Sequence, residues 1–252
     1  FVSGGAPLNY DIGVFFLALG GRLLQGYGQT ETAPVVSANP PSRIKIDTVG
    51  PAFPGVDLRI ADDGEILIRG ELTMQGYWNA PELTAETLRD GWVHTGDIGL
   101  LDEDGYIKIT DRKKDIIVNS GGDNVAPQRV EGALVFEAEI NQAMVYGDKR
   151  PHLVAVLVPD DDFIRSWASE NDREADLSAL ADSEAFHERL REALERANAR
   201  LGPIEQVRRF IVADEAFTTE NGLMTPSLKI RRHVIREIYG ERLEGLYGRA
   251  RS

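Results

Sequence analysis

Asp111-Arg112-Lys113-Lys114-Asp115, followed by Ile116-Ile117-Val118-Asn119-Ser120-Gly121-Gly122-Asp123-Asn124-Val125-Ala126-Pro127, is the stretch on which the reading of the fold turns. Its charged run stands between two strand-like segments, Ile107 to Thr110 and Ile116 to Asn119. Charge with so little to bury marks an exposed connection, so a domain boundary is placed here, with domains at residues 1–112 and 113–252. Upstream, residues 47–110 read as hairpins. Val56 to Ile60 alternates, Asp62-Asp63-Gly64 turns the chain, and Glu65 to Arg69 returns. Leu100-Leu101 and Tyr106 to Ile109 flank a second turn, Asp102 to Gly105, so this part is a small β subdomain. Further back, residues 1–46 form an α/β segment: a short strand, the turn Gly4-Gly5, a helix over Asp11 to Leu19, and a strand over Arg22 to Gln25 that ends in Gly26-Tyr27-Gly28. Ligands bind α/β folds at the C-terminal ends of strands, where this glycine cluster lies.

Downstream of the boundary the pattern is a compact α+β domain. It predicts a helix over Val125 to Phe136 and a hairpin of Gln142 to Tyr146 with His152 to Val158. Asp160 to Asp182 is acidic and polar and is read as a surface loop with a short helix. Phe186, Leu190, Ala193, Leu194, Ala197 and Leu201 recur at helical spacing before Gly202-Pro203, and a last helix over Arg231 to Tyr239 turns Val234, Ile235 and Ile238 inward.

Composition narrows the function classes. The 252 residues are 42% hydrophobic and 27% charged, ordinary globular values. A formal net charge of -13 argues against non-specific binding to nucleic acid or to anionic lipid. It leaves room for anionic substrates, which a few local cations and backbone N–H groups can hold. With no cysteine, this chain has no disulfide, thiolate metal site or cysteine nucleophile. Its longest apolar stretches, such as Val14 to Leu19 and Leu153 to Val158, fall far short of the roughly 20 residues of a transmembrane helix.

Four segments in order carry a resemblance. The first pairs Ser3-Gly4-Gly5-Ala6-Pro7-Leu8 with Gly26-Tyr27-Gly28-Gln29-Thr30-Glu31. The second is Trp92-Val93-His94-Thr95-Gly96-Asp97-Ile98-Gly99, the third is the stretch from Asp111 to Pro127, and the fourth is Leu223-Met224-Thr225-Pro226-Ser227-Leu228-Lys229-Ile230. Together they resemble the adenylate-forming superfamily, which contains acyl-CoA synthetases, luciferases and peptide-synthetase adenylation domains. The resemblance implies a fold class of α/β plus α+β: the end of a large adenylate-forming domain with its β subdomain, then a mobile C-terminal domain.

It also implies roles. Gly5 and Ala6 lie along adenine, Tyr27 packs on the base, Thr30 contacts the α-phosphate and Glu31 helps to hold Mg²⁺. Glycines let backbone approach a flat base, an aromatic face gives it a platform, and a carboxylate is a hard ligand for magnesium. Asp97 accepts from the ribose hydroxyls, as an acceptor-only carboxylate can, and His94 is structural. Arg112 contacts the nucleotide, Lys114 is the hinge, and Gly121 and Gly122 approach the pantetheine thiol of coenzyme A. Lys229 matches the catalytic lysine, an ammonium that offsets charge on the α-phosphate and the substrate carboxylate. Arg231 and Arg232 solvate the helix start. Gly122-Asp123 stands where the acetyl branch has a basic residue, and this form, with Thr225 to Lys229, resembles the long-chain branch.

The implied reaction joins a long-chain fatty acid to coenzyme A at the expense of ATP, through an acyl-AMP intermediate. The rivals are another acyl- or aryl-CoA synthetase or adenylation domain, and a non-catalytic nucleotide-binding or interaction module. Phe1 opens on a strand with no lead-in, so the chain is read as a fragment or truncated product that lacks the family's upstream phosphate-binding loop and does not make acyl-CoA by itself. A cytoplasmic location follows, with any peripheral contact at the inner membrane face made by regions outside this chain. Uncovered starting strands favour a homo-oligomer.

Overall fold

The structure is a computed structural model that describes residues 1–181 and 183–248. The chain separates into two compact units, Phe1–Asp115 and Ile116–Ser252. No described helix is long and apolar enough to cross a membrane.

In the first unit, β1 (Val2–Ser3) leads to α1 (Tyr10–Ala18), which Asn9 caps by accepting the N–H groups of Asp11 and Ile12. The chain then enters β2 (Leu24–Tyr27), parallel to β1, and β3 (Ser37–Ala38) pairs antiparallel on its other side. A five-stranded sheet follows, made of β4 (Asp57–Ile60), β5 (Glu65–Arg69), β6 (Leu88–Arg89), β7 (Trp92–Leu101) and β8 (Ile107–Arg112), with α2 (Pro81–Thr87) before β6. Its order is β4-β5-β7-β6, and β8 also pairs with β7. Strand side chains alternate between faces, and in β7 this buries Val93, Thr95, Asp97 and Gly99. Tyr27, Val36, Ile66, Ile68 and Ile107 form the core of this unit.

The second unit opens with a hairpin of β9 (Ile117–Val118) and β10 (Asn124–Val125), then α3 (Pro127–Leu134). Next come β11 (Ile140–Tyr146), β12 (Leu153–Pro159), α4 (Asp161–Glu170), α5 (Leu177–Leu180), α6 (Glu184–Asn198), β13 (Val207–Val212) and α7 (Arg232–Gly245). β12 lies centrally, antiparallel to β11 and parallel to β13. A strand covered on both faces needs an unbroken apolar run, and every residue of β12 is buried. Leu153, Ala155 and Leu157 join one core with Trp167, Phe186, Leu190 and Leu194. Val154, Val156 and Val158 join the other with Ile235, Tyr239 and Leu243.

Several expectations are corrected. The acidic stretch from Asp160 holds a full helix, α4, capped by Asp160 and anchored by Ile164, Trp167 and Ala168; Asp182 lies outside the described residues. The helix expected over Val125 to Phe136 starts at Pro127 and ends at Leu134, leaving Val135 and Phe136 part-exposed. α7 runs through Gly240, so its inward stripe is Ile235, Tyr239 and Leu243 at spacing four, and Ile238 is 55% exposed. Arg231 and Arg232 do not solvate the helix start. Arg232 makes a two-pronged ion pair with Glu131 of α3, and Arg231 donates to the carbonyl of Gly222 at 2.9 Å. α2, β6 and β13 are additional elements; in β13, Arg208 and Arg209 interrupt the apolar pattern.

Candidate active site

Asp97 is the organising residue of the first unit. It stands opposite Arg112 in the β7–β8 ladder, and the Arg112 Nε donates to its Oδ1 at 2.8 Å. Its Oδ2 accepts from the Tyr27 hydroxyl at 2.6 Å and from the Gln29 amide at 2.6 Å. The same Gln29 nitrogen reaches the Thr95 carbonyl at 2.9 Å. Thr95 Oγ1 in turn donates to the Ile66 carbonyl at 2.7 Å and accepts the Asp97 N–H at 3.1 Å. With Asp97 only 5% exposed, the charge is buried yet paired and hydrogen-bonded, the condition under which burial is tolerated. Burial, then the neighbouring Asp97 charge, push the Tyr27 hydroxyl far above its ordinary range and keep it a donor. Burial alone would lower the Arg112 guanidinium, but Asp97 outweighs it and holds Arg112 above its usual value. The Tyr27 ring packs in the core with Val36, Ile66, Ile68 and Ile107.

Thr30 and Glu31 follow in a single 3-10 turn, Thr30–Thr32, closed by the Gln29 N–H on Thr32 Oγ1 at 2.9 Å. The turn needs glycine before it, since a Cβ on Gly28 would sit 2.0 Å from the Pro34 carbonyl oxygen. Thr30 is exposed. Glu31 Oε1 accepts the Tyr77 hydroxyl at 2.6 Å, and the Glu31 carbonyl accepts the Met74 N–H at 2.9 Å. Burial, then Glu31, push the Tyr77 hydroxyl upward, so it too donates. No group of three or more His, Asp or Glu among the described residues could cage a metal. One carboxylate with an oxygen to spare nevertheless fits Mg²⁺, which is commonly held by one or two carboxylates together with substrate phosphates and water. Gly5 and Ala6 form the exposed turn after β1, beside the strand that carries Tyr27; Gly5 has φ +84, a conformation that glycine adopts without strain.

The second unit carries two further loops. Between β9 and β10, Asn119 Oδ1 accepts the N–H groups of Gly121 at 2.8 Å and Asp123 at 2.9 Å, and Gly122 turns at φ +89. This loop is fastened to the β11–β12 turn through Ser120 N–H on the Arg150 carbonyl at 3.0 Å and Lys149 N–H on the Val118 carbonyl at 2.7 Å. Lys229 closes the other loop. Its carbonyl accepts the Thr225 N–H at 2.8 Å and its N–H reaches Thr225 Oγ1 at 3.1 Å, across Leu228 at φ 58. The Lys229 side chain is exposed and enters no ion pair among the described residues. Lys114 is exposed at the end of the first unit.

The fold therefore joins Tyr27, Asp97 and Arg112 by direct bonds and sets Thr30 and Glu31 in the turn that follows Tyr27. Gly121, Gly122 and Lys229 occupy separate loops of the other unit. His94 Nδ1 lies 3.1 Å from Glu65 Oε2, and Lys113 binds Asp63 and Glu65. Gln29, Thr95 and Tyr77 were not singled out by sequence. Gln29 and Thr95 sat unassigned inside quoted motifs, whereas Tyr77 is 46 residues from its partner and carried no local signal.

A family model described as AMP-binding enzyme matches residues 1–78, and one described as AMP-binding enzyme C-terminal domain matches residues 114–251. The chain belongs to the AMP-binding enzymes, the adenylate-forming superfamily. Among curated relatives, the long-chain-fatty-acid–CoA ligase FadD15 of Mycobacterium bovis is 39% identical over 250 residues, which are 98% of this chain and 42% of that protein. This AMP-binding chain thus spans about two-fifths of the length of that relative. Its architecture matches the adenylation domain of a carboxylate reductase from Mycobacterium chelonae with a TM-score of 0.82 at 29% identity, over 98% of this chain and 38% of that one. The A domain of a carboxylic acid reductase from Segniliparus rugosus, in complex with AMP and a co-purified carboxylic acid, gives 0.79 at 28% identity, over 98% and 39%. The mixed α/β architecture is that of an adenylate-forming domain with its small C-terminal domain.

Proposed function

We propose that the intact protein activates a carboxylic acid with ATP and transfers the acyl group to coenzyme A. The carboxylate oxygen attacks the α-phosphorus and pyrophosphate leaves; the thiol sulfur then attacks the acyl carbon and AMP leaves. No protein nucleophile is needed, so the chain's residues act by positioning and charge neutralisation. The observation that carries this reading is the convergence of Tyr27, Gln29 and Arg112 on the buried Asp97 carboxylate, three donors at 2.6, 2.6 and 2.8 Å. In this reading Asp97 receives the ribose hydroxyls. A carboxylate offers about four lone-pair positions, so one ribose hydroxyl takes the one left over and the other displaces the Gln29 amide from Oδ2. Gly5 and Ala6 run along the base, while the Tyr27 ring, packed in the core, keeps its hydroxyl on Asp97. Arg112 contacts the nucleotide, Thr30 the α-phosphate, and Lys229 brings an ammonium to the reacting phosphorus. Glu31 would hold Mg²⁺, which would supply further charge neutralisation there.

The acid we assign is a long-chain fatty acid. The likeness to the long-chain-fatty-acid–CoA ligase FadD15 supports this, as do the forms of Gly121 to Pro127 and Thr225 to Lys229. A second reading, an adenylation domain that passes its adenylate to an acceptor other than coenzyme A, is favoured by the likeness to the carboxylate reductase domain. Pyrophosphate exchange by the intact protein with aryl acids and fatty acids from C2 to C20, followed by coenzyme A-dependent AMP release, tests both. Long-chain-dependent exchange with thioester formation is the expected result. Exchange without a thioester supports the second reading, and no exchange with any acid rejects both.

A further inference from the structure

We propose that Tyr77 is the positioning residue that aims the Glu31 carboxylate at the metal. This rests on the assignment of Glu31 as a magnesium ligand made above. Glu31 sits in a turn of only three residues, Thr30–Thr32, and a glutamate side chain has several rotatable bonds that must be fixed to aim its carboxylate. One segment grips it twice. The Met74 N–H holds the Glu31 carbonyl at 2.9 Å, and the Tyr77 hydroxyl holds Oε1 at 2.6 Å.

The segment is itself anchored. Tyr77 donates its N–H to Thr84 Oγ1 at 2.9 Å, and Thr84 Oγ1 donates to the Ala80 carbonyl at 2.9 Å in the first turn of α2. Gly76, at φ +144, lies so close to Thr84 that a Cβ would come 2.8 Å from the Thr84 Cγ2. The helix thus fixes Tyr77, and Tyr77 fixes Glu31.

The chemistry of the gripping group matters as much as its place. A lysine or arginine at this position would cancel the carboxylate's charge and compete with a cation. A phenol is neutral and occupies one oxygen only, while Oε2 has no hydrogen-bond donor among the described residues and Glu31 enters no ion pair among them. An oriented, still anionic, one-oxygen ligand is what such a hydrogen-bonded outer partner produces at a metal site.

The test uses the intact protein with ATP and Mn²⁺ as the metal probe, reading water-proton relaxation, and compares wild type, Tyr77→Phe and Glu31→Gln. ATP affinity is also measured in the presence of a chelator. Tyr77→Phe is expected to weaken Mn²⁺ binding in the ternary complex about tenfold and to leave metal-free ATP affinity within about twofold. If Tyr77→Phe binds Mn²⁺ like wild type while Glu31→Gln does not, Tyr77 only supports the fold and the inference is overturned. If Glu31→Gln also binds like wild type, the assignment of Glu31 fails and takes the inference with it. Should Tyr77→Phe not fold, Thr84→Val, which deletes the acceptor of the Tyr77 N–H, replaces it; a loss of Mn²⁺ affinity is expected, and wild-type affinity overturns the proposal.

Discussion

The Tyr27 hydroxyl and the Asp97 Oδ2 lie 2.6 Å apart although 70 residues separate them in the chain, and both are buried. This bond ties the end of β2 to the middle of β7. Tyr27→Phe keeps the ring in the core and leaves a buried carboxylate short of one donor, a loss worth about 1.5–3 kcal/mol for a hydrogen bond to a charged group. Urea unfolding followed by Trp92 fluorescence in the first unit is expected to show that loss; a change below about 0.5 kcal/mol would mean that water or Gln29 replaces the hydroxyl.

How much of this was legible before the structure depended on period and distance. β12 was visible as an unbroken apolar run, and α6 because its stripe repeats at helical spacing within one element. α4 was read only as a short helix in a loop because its first turn is acidic, which reads as loop until Asp160 is seen as a cap. β13 was hidden because Arg208 and Arg209 break its alternation while β12 supplies its pairing. The site behaved likewise. Tyr27, Asp97 and Arg112 were picked out through the resemblance, since nothing in local spacing joins residues so far apart. Tyr77 was not, because its partner is chosen by the path of the chain before α2.

Glu65 gives the first unit an acid limit. Burial pushes it up, but hydrogen bonds from His94, Lys113 and the Gly96 N–H outweigh burial and hold it below the ordinary glutamate range. The fold therefore favours the ionised form. Its contribution is present above about pH 4.5 and is lost as the pH falls through the depressed value. Glu65→Gln is expected to be less stable than wild type at pH 7 and to converge with it as the pH falls through the depressed Glu65 value. Urea midpoints from Trp92, in about 1 M salt to screen exposed pairs such as Lys108 with Asp47, check this. Parallel profiles for the two proteins would remove Glu65 as the cause.

His152 sets a different limit in the second unit. Its Nε2 is buried without a hydrogen-bond partner among the described residues, and its ring lies 5.0 Å from that of Tyr247, over which Arg150 also sits. Burial, then the charges of Arg209 and Arg208, hold His152 below its ordinary range. The fold favours the neutral ring, so this contribution is complete above about pH 6.5 and declines as the pH falls through the lowered value. Trp167 fluorescence in urea is expected to report falling stability between about pH 7.5 and 5 in wild type, and a flatter profile in His152→Phe. Equal slopes would assign the decline to other groups.

The last prediction concerns Lys114. Lys113 is fastened to the first unit through its N–H on the Gly96 carbonyl at 2.8 Å and its ammonium on Asp63 and Glu65. Ile117 is fastened to the second by pairing with Val125. Lys114 stands between these anchors, exposed and with no hydrogen bond or ion pair among the described residues. We propose that it is the hinge on which the second unit turns from presenting Lys229 for adenylation to presenting the Gly121 loop for thioester formation. Few residues need to absorb the φ/ψ change in such a closure. Proline fixes φ, so Lys114→Pro in the intact protein is expected to retain pyrophosphate exchange. It should slow coenzyme A-dependent thioester formation at least about tenfold, a barrier rise of about 1.4 kcal/mol. Lys114→Ala removes the charge but not the rotation, so it should retain both half-reactions. Equal losses of both half-reactions in the proline variant would remove the hinge role, and an alanine variant as impaired as the proline one would show that the side chain matters and the backbone's freedom does not.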